Sequence, residues 1–460
     1  MLFTAATLAD GETRDVRVTD GTIAAVGESL PDNAEETVVD ASGHHLLPGG
    51  VDVHVHFREP GFSHKETWAG GSRAAAAGGV TTVVDQPNTQ PPTTTRAAVD
   101  EKHELAAVSL VDYGLNAGVT GEWDPRVVFD RPVFALGEVF LADSTGEMGI
   151  EQATFETALE RANEADVPVT VHAEDAERFD PAALDEATGV GRDAPADRWS
   201  QYRPAQAEVA AVETALSAAA EAGTSVHVAH TSTPAAVDAV SEAAAETAGA
   251  NDRRVTCEVT PHHLLLSRAD LDGLGTYGRM NPPLRSESRC EALFERVRDG
   301  TVDVVATDHA PHTVAEKEAS LTEAPSGVPG VETMVPLLLG QVATGRLSLS
   351  RVRDLVAANP ARIFGLPEKG GVEPGADADL VLVDLDATES VRADRLHTAC
   401  GWTPFEGKTA VFPELTLVRG EPVYDPHGIT SQNGVEASDT AGADNVDDPF
   451  GDAVGRNVRR

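Results

Sequence analysis

Eight short apolar runs, separated by alanine-rich stretches, constrain the fold of this 460-residue chain more than any other feature. The stretches at 206–222 and 233–248 are rich in alanine and glutamate and are each followed by a glycine, as is typical of helices. Eight buried strands that alternate with helices predict a (β/α)8 barrel, a TIM-like α/β fold, over residues 49–367. The strand-like runs are 50–57, 80–86, 111–117, 133–141, 167–172, 225–230, 255–260 and 302–308.

Both ends of the chain have a different pattern, in which short strands are joined by tight turns. Asp20-Gly21 lies between two alternating runs, which is typical of a β-hairpin. Similar strand-like runs return at 378–384 and 415–420. We therefore predict that residues 1–48 and 368–428 together form a small β-sandwich beside the barrel.

The net charge of −40, from 75 acidic and 35 basic residues, limits the possible partners. Such a surface repels nucleic acid and anionic membranes, so neither is an expected partner. An acidic surface suits a cytoplasm with molar salt, where repulsion is screened within a few ångströms. The chain has three scattered cysteines and lacks a signal peptide or an apolar run long enough to span a membrane, so we expect a cytoplasmic protein with reduced thiols.

The last part of the chain, residues 429–460, is acidic and has few apolar residues and no periodicity. Such a segment cannot bury enough apolar surface to offset the entropy of ordering it. We predict a disordered tail.

Two histidines at the end of the first barrel strand are the first sign of chemistry. Side chains alternate between the two faces of a strand, so His54 and His56 point the same way. A pair of imidazoles at a strand end can hold one divalent metal ion. A pair of hydrogen-bonded structural histidines is the alternative for an isolated motif of this kind.

Further ligand types at other strand ends favour the metal site. The fifth run ends in His172, the sixth in His230 and the eighth in Asp308. The fourth run contains Glu138, and a buried carboxylate is costly unless it is paired or bound to metal. The strand ends meet at one mouth of such a barrel. Six ligands exceed the need of one tetrahedral ion and suit two metal ions about 3.5–4 Å apart with a bridging carboxylate.

The remaining histidines have weaker claims to the site. His227 lies three residues before His230 and so should face the other side of its strand and pack under a helix. His262 and His263 follow the seventh strand and can either support the metal ligands or play no part. A surface or structural role is expected for His44, His45, His103, His397 and His427. No GxSxG or Walker A motif is present, which argues against serine catalysis and P-loop nucleotide binding.

Several motifs together resemble those of the dihydroorotase family within the cyclic amidohydrolase superfamily. They lie at 52–61, 86–89, 172–174, 260–264, 281–285, 307–312 and 330–333. The resemblance covers the chain up to the tail, and the acidic composition further resembles that of haloarchaeal proteins. It implies a metal-dependent hydrolase barrel that interconverts N-carbamoyl-L-aspartate and L-dihydroorotate in pyrimidine synthesis. It also implies two Zn²⁺ per subunit, a small-molecule substrate and a possible homodimer.

The resemblance also implies a role for each matching residue. His54, His56 and Asp308 would bind one zinc ion, and His172 and His230 the other. Asp308 would act as the general base and then as the general acid. The substrate residues would be His56 beside the metal, Arg58, Asn88 and His312 at the substrate carboxylate, and Asn281, Ser326 and Gly327 around the ring or carbamoyl group.

One position departs from the pattern of this family. Many relatives have a carboxylated lysine on the fourth strand as the bridge between the metals, and this chain has Glu138 there. Glutamate already carries a carboxylate, so it can bridge two ions without modification. Asp143, five residues further on, is the alternative bridge.

Two other functions stay open at this stage. An allantoinase or a dihydropyrimidinase (hydantoinase) would share the fold and the metals, but their substrates do not call for Arg58 and His312 as a carboxylate site. A catalytically dead relative that serves as a scaffold would have lost metal ligands, whereas every ligand type is present here.

Overall fold

The computed structural model describes residues 1–33, 36–121, 123, 129–144, 148–185, 187–247, 254–431 and 448–459. Its strands are β1 (Leu2–Thr7), β2 (Thr13–Thr19), β3 (Thr22–Gly27), β4 (Val38–Asp40), β5 (His45–Pro48), β6 (Gly50–Val55), β7 (Val80–Asp85), β8 (Asp112–Leu115), β9 (Leu136–Phe140), β10 (Val169–His172), β11 (Val226–Val228), β12 (Val255–Val259), β13 (Val304–Val305), β14 (Leu380–Val383), β15 (Glu389–Ser390), β16 (Thr409–Ala410), β17 (Leu415–Val418) and β18 (Glu421–Tyr424).

Helices connect most of these strands in the middle of the chain. They are α1 (Trp68–Ala77), α2 (Arg96–Leu105), α3 (Gln152–Glu164), α4 (Asp197–Tyr202), α5 (Ala205–Ala222), α6 (Pro234–Thr247), α7 (Pro261–Leu265), α8 (Leu271–Leu274), α9 (Glu287–Asp299), α10 (Val314–Lys317), α11 (Met334–Ala343), α12 (Leu349–Arg353) and α13 (Asn359–Ile363). Within the described ranges, none of them has the length and apolar character that crossing a membrane requires.

Strands β6 to β13 form the predicted barrel. Strands β6, β7 and β8 pair in parallel, and so do β9 to β13. Parallel bridges from Ala117 to Leu136 and from Val55 to His309 join the two groups and close the cylinder. The TIM-like (β/α)8 prediction is therefore confirmed.

The helices around the barrel follow the expected amphipathic pattern. In α5 the buried alanines and valine recur every three or four residues, at 207, 211, 212, 215 and 219, so one stripe faces the strands. The helix ends at Gly223, whose φ of 68° is the left-handed conformation that glycine adopts without strain. Strand β6 is buried at every position, as expected for a parallel strand covered on both faces.

Strands from the two ends of the chain meet in a separate sheet, as the sequence predicts. Its order is β18-β17-β14-β5-β1-β2-β3, with β4 paired to β1, so the hydrogen-bonded strands form one continuous eight-stranded sheet. Leu47 pairs with Val381 between β5 and β14, which links the two terminal segments directly. One face of this sheet has its own apolar core, and the other packs on the barrel.

A buried ionic cluster fastens this sheet to the barrel. The Lys369 ammonium lies 2.6 Å from carboxylate oxygens of both Asp112, at the start of β8, and Asp379, beside β14. Asp377 lies 2.9 Å from the same nitrogen. The Arg419 guanidinium also pairs with Asp112, and the two cations offset most of the acidic charge, which makes such a cluster tolerable in the interior.

The end of the chain differs from the prediction of a disordered tail. Backbone hydrogen bonds of 2.9 Å join Tyr113 to Arg456 and Val458, and the Arg459 guanidinium lies 4.8 Å from the Phe134 ring centroid. The prediction is therefore wrong for residues 448–459, because backbone pairing to a strand edge needs no apolar periodicity. Residues 432–447 and 460 lie outside the described part of the chain.

Candidate active site

Two groups of potential metal ligands lie at the carboxyl-terminal mouth of the barrel and share one residue. The ligand atoms of His54, His56 and Glu138 all lie within 4.8 Å of one another, and so do those of Glu138, His172 and His230. All five side chains are buried. Glu138 thus occupies the position between the two groups that a bridging carboxylate requires.

Asp308 completes the first group. Its Oδ1 lies 3.0 Å from His56 Nε2 and 3.6 Å from His54 Nε2. On its other side, His54 Nε2 is 3.4 Å from Glu138 Oε2. Two imidazoles and two carboxylates therefore converge on one point.

The second group is even more compact. Glu138 Oε1 lies 2.6 Å from His230 Nε2 and 3.0 Å from His172 Nδ1, and these two nitrogens are 2.9 Å apart. Burial disfavours the Glu138 carboxylate, but the charges of His54 and His230 outweigh this and hold the pKa of Glu138 well below its usual 4.5. Glu138 is therefore an ionised carboxylate, the form that could bind a cation.

These residues fit divalent cations. His54 Nε2 is buried and has no hydrogen-bond partner in the described structure, although it faces two carboxylates. An orphaned buried nitrogen costs free energy unless something else binds it. Imidazole nitrogens and carboxylate oxygens are the ligands that zinc takes in hydrolytic sites.

The backbone just beyond two strands and within β9 aims these side chains. His230 and Asp308 lie two and three residues beyond the last residues of β11 and β13, with φ values of 32° and 47°. These left-handed conformations cost energy, and such strain is typical of functional sites. Before Glu138, a Cβ on Gly137 would lie 2.1 Å from Thr170 Oγ1, so only glycine fits there.

Glu258, which was not predicted from the sequence, orients His54. Its Oε1 is 2.6 Å from His54 Nδ1, and its Oε2 is 3.1 Å from His227 Nε2. His227 therefore lies in the barrel interior beneath the site, and the prediction that it packs under a helix is wrong. Strand β11 ends at Val228, before His230, so side-chain alternation counted back from His230 assigned His227 to the wrong face of the strand. An acid within the apolar run of β12 was the available signal.

A second missed pair orients the other histidine. His172 Nε2 lies 3.0 Å from Glu174 Oε2, and the Arg203 guanidinium lies 2.6 Å from the same oxygen. Burial opposes ionisation of Glu174, but Arg203 and His172 hold its pKa far below the usual value. A carboxylate at the far nitrogen fixes the ring and makes the near nitrogen a better ligand. Glu174 could have been found from the sequence because it lies two residues after His172. No nearby sequence feature points to Arg203.

The residues predicted to contact substrate lie around the same cavity, with one exception. Arg58, Asn88, Asn281, Ser326 and Gly327 line it together with His56 and the other metal-ligand candidates except His54. Asn88 Oδ1 lies 2.6 Å from His56 Nδ1. The Asn281 amide is fixed because its Oδ1 accepts from Trp199 Nε1 at 2.9 Å and its Nδ2 donates to Ser144 Oγ at 3.1 Å.

His312 is the exception, because it lies behind Arg58 and does not line the cavity. Its Nε2 is 3.2 Å from an Arg58 guanidinium nitrogen and 2.9 Å from the Ser326 carbonyl oxygen, to which it donates. Its Nδ1 accepts from Lys65 Nζ at 3.1 Å. Burial, together with Arg58 and two lysines, lowers the pKa of His312, so its imidazole is neutral.

The alternative bridge, Asp143, and the remaining histidines have other partners. Asp143 belongs to neither ligand group, and its Oδ1 accepts from the Gly149 amide at 2.7 Å. His263 bonds to the Pro282 carbonyl at 2.9 Å. Away from the site, His44 pairs with Glu414, His103 with Tyr113, and His397 with Glu332.

Comparison with known proteins places this site in a family. The amidohydrolase family model matches residues 45–421, and the chain belongs to that family. The chain is 59% identical to the dihydroorotase of Halobacterium salinarum over 93% of its own length and 97% of that protein. It is 44% identical to the dihydroorotase of Methanosarcina mazei, covering 91% of this chain and 92% of that one.

Solved structures of related enzymes share the whole fold. The L-hydantoinase (dihydropyrimidinase) from Arthrobacter aurescens superposes with a TM-score of 0.88 at 28% identity, covering 100% of this chain and 99% of that one. The class of protein expected from the sequence is therefore confirmed, and the sequence relatives favour the dihydroorotases within it.

Proposed function

We propose that this protein is a dihydroorotase that holds two Zn²⁺ ions. His54, His56 and Asp308 would hold one ion and His172 and His230 the other, with Glu138 shared between them. The ions would supply Lewis acidity at a carbonyl oxygen and an ionised water near neutral pH. The shared position of Glu138 and the orphaned His54 nitrogen support this assignment.

The observation that carries the choice of substrate is a guanidinium in the cavity that has no carboxylate partner among the described residues. Arg58 is 3% exposed, and no carboxylate of the described residues lies within 4.0 Å of it. Burial lowers its pKa only to about 10, so it is charged at neutral pH. L-Dihydroorotate and N-carbamoyl-L-aspartate present a carboxylate to this group, whereas dihydrouracil and allantoin do not. A guanidinium suits a carboxylate because two of its N–H groups can bind both oxygens.

The residues around the cavity would have separate roles in substrate binding and proton transfer. Arg58 and Asn88 would hold the substrate carboxylate, with His312 buttressing Arg58 from behind. Asn281, Ser326 and Gly327 would contact the ring. Burial opposes ionisation of Asp308, but the hydrogen bond from His56 and the charges of the neighbouring histidines lower its pKa, so it can accept a proton.

The reaction then requires two proton transfers through one carboxylate. In ring opening, Asp308 takes a proton from the water that attacks the ring amide carbonyl and delivers it to the leaving nitrogen. In ring closure, the direction that pyrimidine synthesis uses, Asp308 removes the proton from the carbamoyl nitrogen and returns it to the departing oxygen. The polar, buried surroundings keep Asp308 in place for both steps.

The test is a substrate comparison on wild type and Arg58→Gln. We expect wild type to prefer L-dihydroorotate over dihydrouracil, hydantoin and allantoin. Loss of a buried charge partner costs about 2 kcal/mol or more, so Arg58→Gln should lower kcat/KM for dihydroorotate at least about 30-fold. Hydrolysis of dihydrouracil should change little. Faster turnover of dihydrouracil, hydantoin or allantoin by wild type would instead favour a hydantoinase or allantoinase.

We further propose that the protein works in a cytoplasm of high salt. Its net charge of −40 gives strong self-repulsion, which is screened over about 3 Å in molar salt but over about 30 Å at 0.01 M. The melting temperature in molar KCl is therefore expected to exceed that in dilute buffer. Circular dichroism melts across a KCl series measure this, and a melt that is no lower in dilute buffer contradicts it.

A further inference from the structure

Lys317, at the end of helix α10, is a buried lysine without a carboxylate partner. Its side chain is fully buried, and no carboxylate of the described residues lies within 4.0 Å of its nitrogen. Other lysines with largely buried side chains differ, because Lys65 pairs with Glu316, Lys102 with Asp85 and Lys369 with three aspartates. A buried amino group is costly unless its hydrogen-bonding capacity is met.

Backbone carbonyls meet that capacity. Lys317 Nζ donates to the carbonyl oxygens of Pro325 at 2.9 Å, Gly327 at 3.1 Å and Arg279 at 3.3 Å. Three acceptors match the three donors of an ammonium group. Burial and the charge of Arg279 lower the pKa of Lys317, whereas the three carbonyl dipoles favour its protonated form.

Two of these three carbonyls belong to residues 325–327, which we call the site wall. Ser326 and Gly327 of the wall line the candidate active site. The Gly327 amide donates to the Arg279 carbonyl at 3.0 Å, so Lys317 and the wall share that acceptor. Lys317 therefore lies directly behind the part of the backbone that faces the cavity.

The site wall is tightly packed on the side that faces Ala310 and His312. Gly327 has a φ of +127°, and a Cβ there would lie 2.6 Å from Ala310 Cβ and 3.1 Å from His312 Nε2. The Ser326 carbonyl accepts from the same His312 nitrogen. A small displacement of the wall would thus change both the cavity and the group that supports Arg58.

We propose that Lys317 is a positioning residue that fixes the site wall at the distance the substrate ring requires. It does not touch substrate, and it acts through the Pro325 and Gly327 carbonyls. This inference rests on the proposed function only in that the dihydroorotate ring occupies the cavity beside the wall. Without Lys317, three carbonyls would lose a buried donor and the wall would move.

The experiment compares Lys317→Met with wild type and with Lys369→Met, a buried lysine that joins the sheet to the barrel. Loss of wall contacts weakens substrate and transition state alike, so KM for dihydroorotate should rise about tenfold, or about 1.4 kcal/mol, with kcat nearly unchanged. Lys369→Met should lower the melting temperature and leave KM unchanged. Lys317→Gln, which keeps two donors, should give an intermediate KM.

Amide hydrogen exchange on the substrate-free protein gives a readout that needs no turnover. We expect faster exchange in Lys317→Met for the peptide that contains residues 325–328, with the barrel strands unchanged. If the wild-type protein did not turn over dihydroorotate, the proposed function would be wrong, but the exchange measurement would still test the role of Lys317. Unchanged KM and unchanged exchange in Lys317→Met would overturn the inference. Failure of both Lys317 variants to fold would also overturn it, because the lysine would then support the barrel as a whole.

Discussion

Replacement of Glu138 by alanine is expected to leave no more than one metal ion per chain. Both ligand groups lose a member at once, because Glu138 is the residue they share. A catalytic metal contributes several kcal/mol of transition-state stabilisation, so turnover of dihydroorotate should fall at least about 100-fold. Elemental analysis of the purified, folded variant measures the metal content, and a coupled assay of ring opening measures turnover.

Asp143→Ala is the matched control for this variant. Asp143 lies five positions further along the chain and was the alternative bridge, but its Oδ1 accepts from the Gly149 amide and it belongs to neither ligand group. Its replacement should leave the metal content at the wild-type value. Two ions per chain in Glu138→Ala, or their loss in Asp143→Ala, would contradict the assignment of the bridge.

Asp308→Asn is expected to keep substantial metal and to lose most of its turnover. The amide has the size of the carboxylate and still offers an oxygen to the cation, but it cannot accept the proton that the reaction must move. General acid–base catalysis contributes about 10²–10⁴-fold, so kcat should fall by at least about 100-fold. Single-turnover kinetics on protein of known metal content separates this loss from a loss of the ions.

Asp303→Asn serves as the comparison for that variant. Asp303 precedes the same short strand, β13, at its amino-terminal end, where its Oδ2 accepts from the Cys257 amide at 3.0 Å. This aspartate is far from the mouth of the barrel, so its replacement should change stability and leave kcat close to the wild-type value. Wild-type rates in Asp308→Asn would refute the proton transfer.

Much of the candidate site could be predicted because its potential metal ligands share a local signal. His54, His172, His230 and Asp308 each follow an apolar run, and Glu138 interrupts one. Parallel strands in a barrel end at the same mouth, so a residue type repeated at these ends converges in space. Arg58 and Asn88 carry no such signal, and only the family resemblance pointed to them.

Other residues around the site were not predicted because their partners are distant in the chain. Glu258 meets His54 across 204 positions, and Arg203 meets Glu174 across 29. Among the described residues, Lys317 has no counter-ion that a charge pattern could reveal. The His227 and tail predictions were wrong for a related reason, since strand length and pairing to a strand edge depend on neighbours that no local periodicity specifies.

The sequence by itself determined the class of fold and the chemical types at the mouth of the barrel, because hydrophobic periodicity and ligand identity are local properties. Only the tertiary structure decided which carboxylate lies between the two ligand groups, which acids orient the histidines, and what holds residues 325–327 in place. These are questions of distance between segments far apart in the chain, and they are answered when the barrel closes.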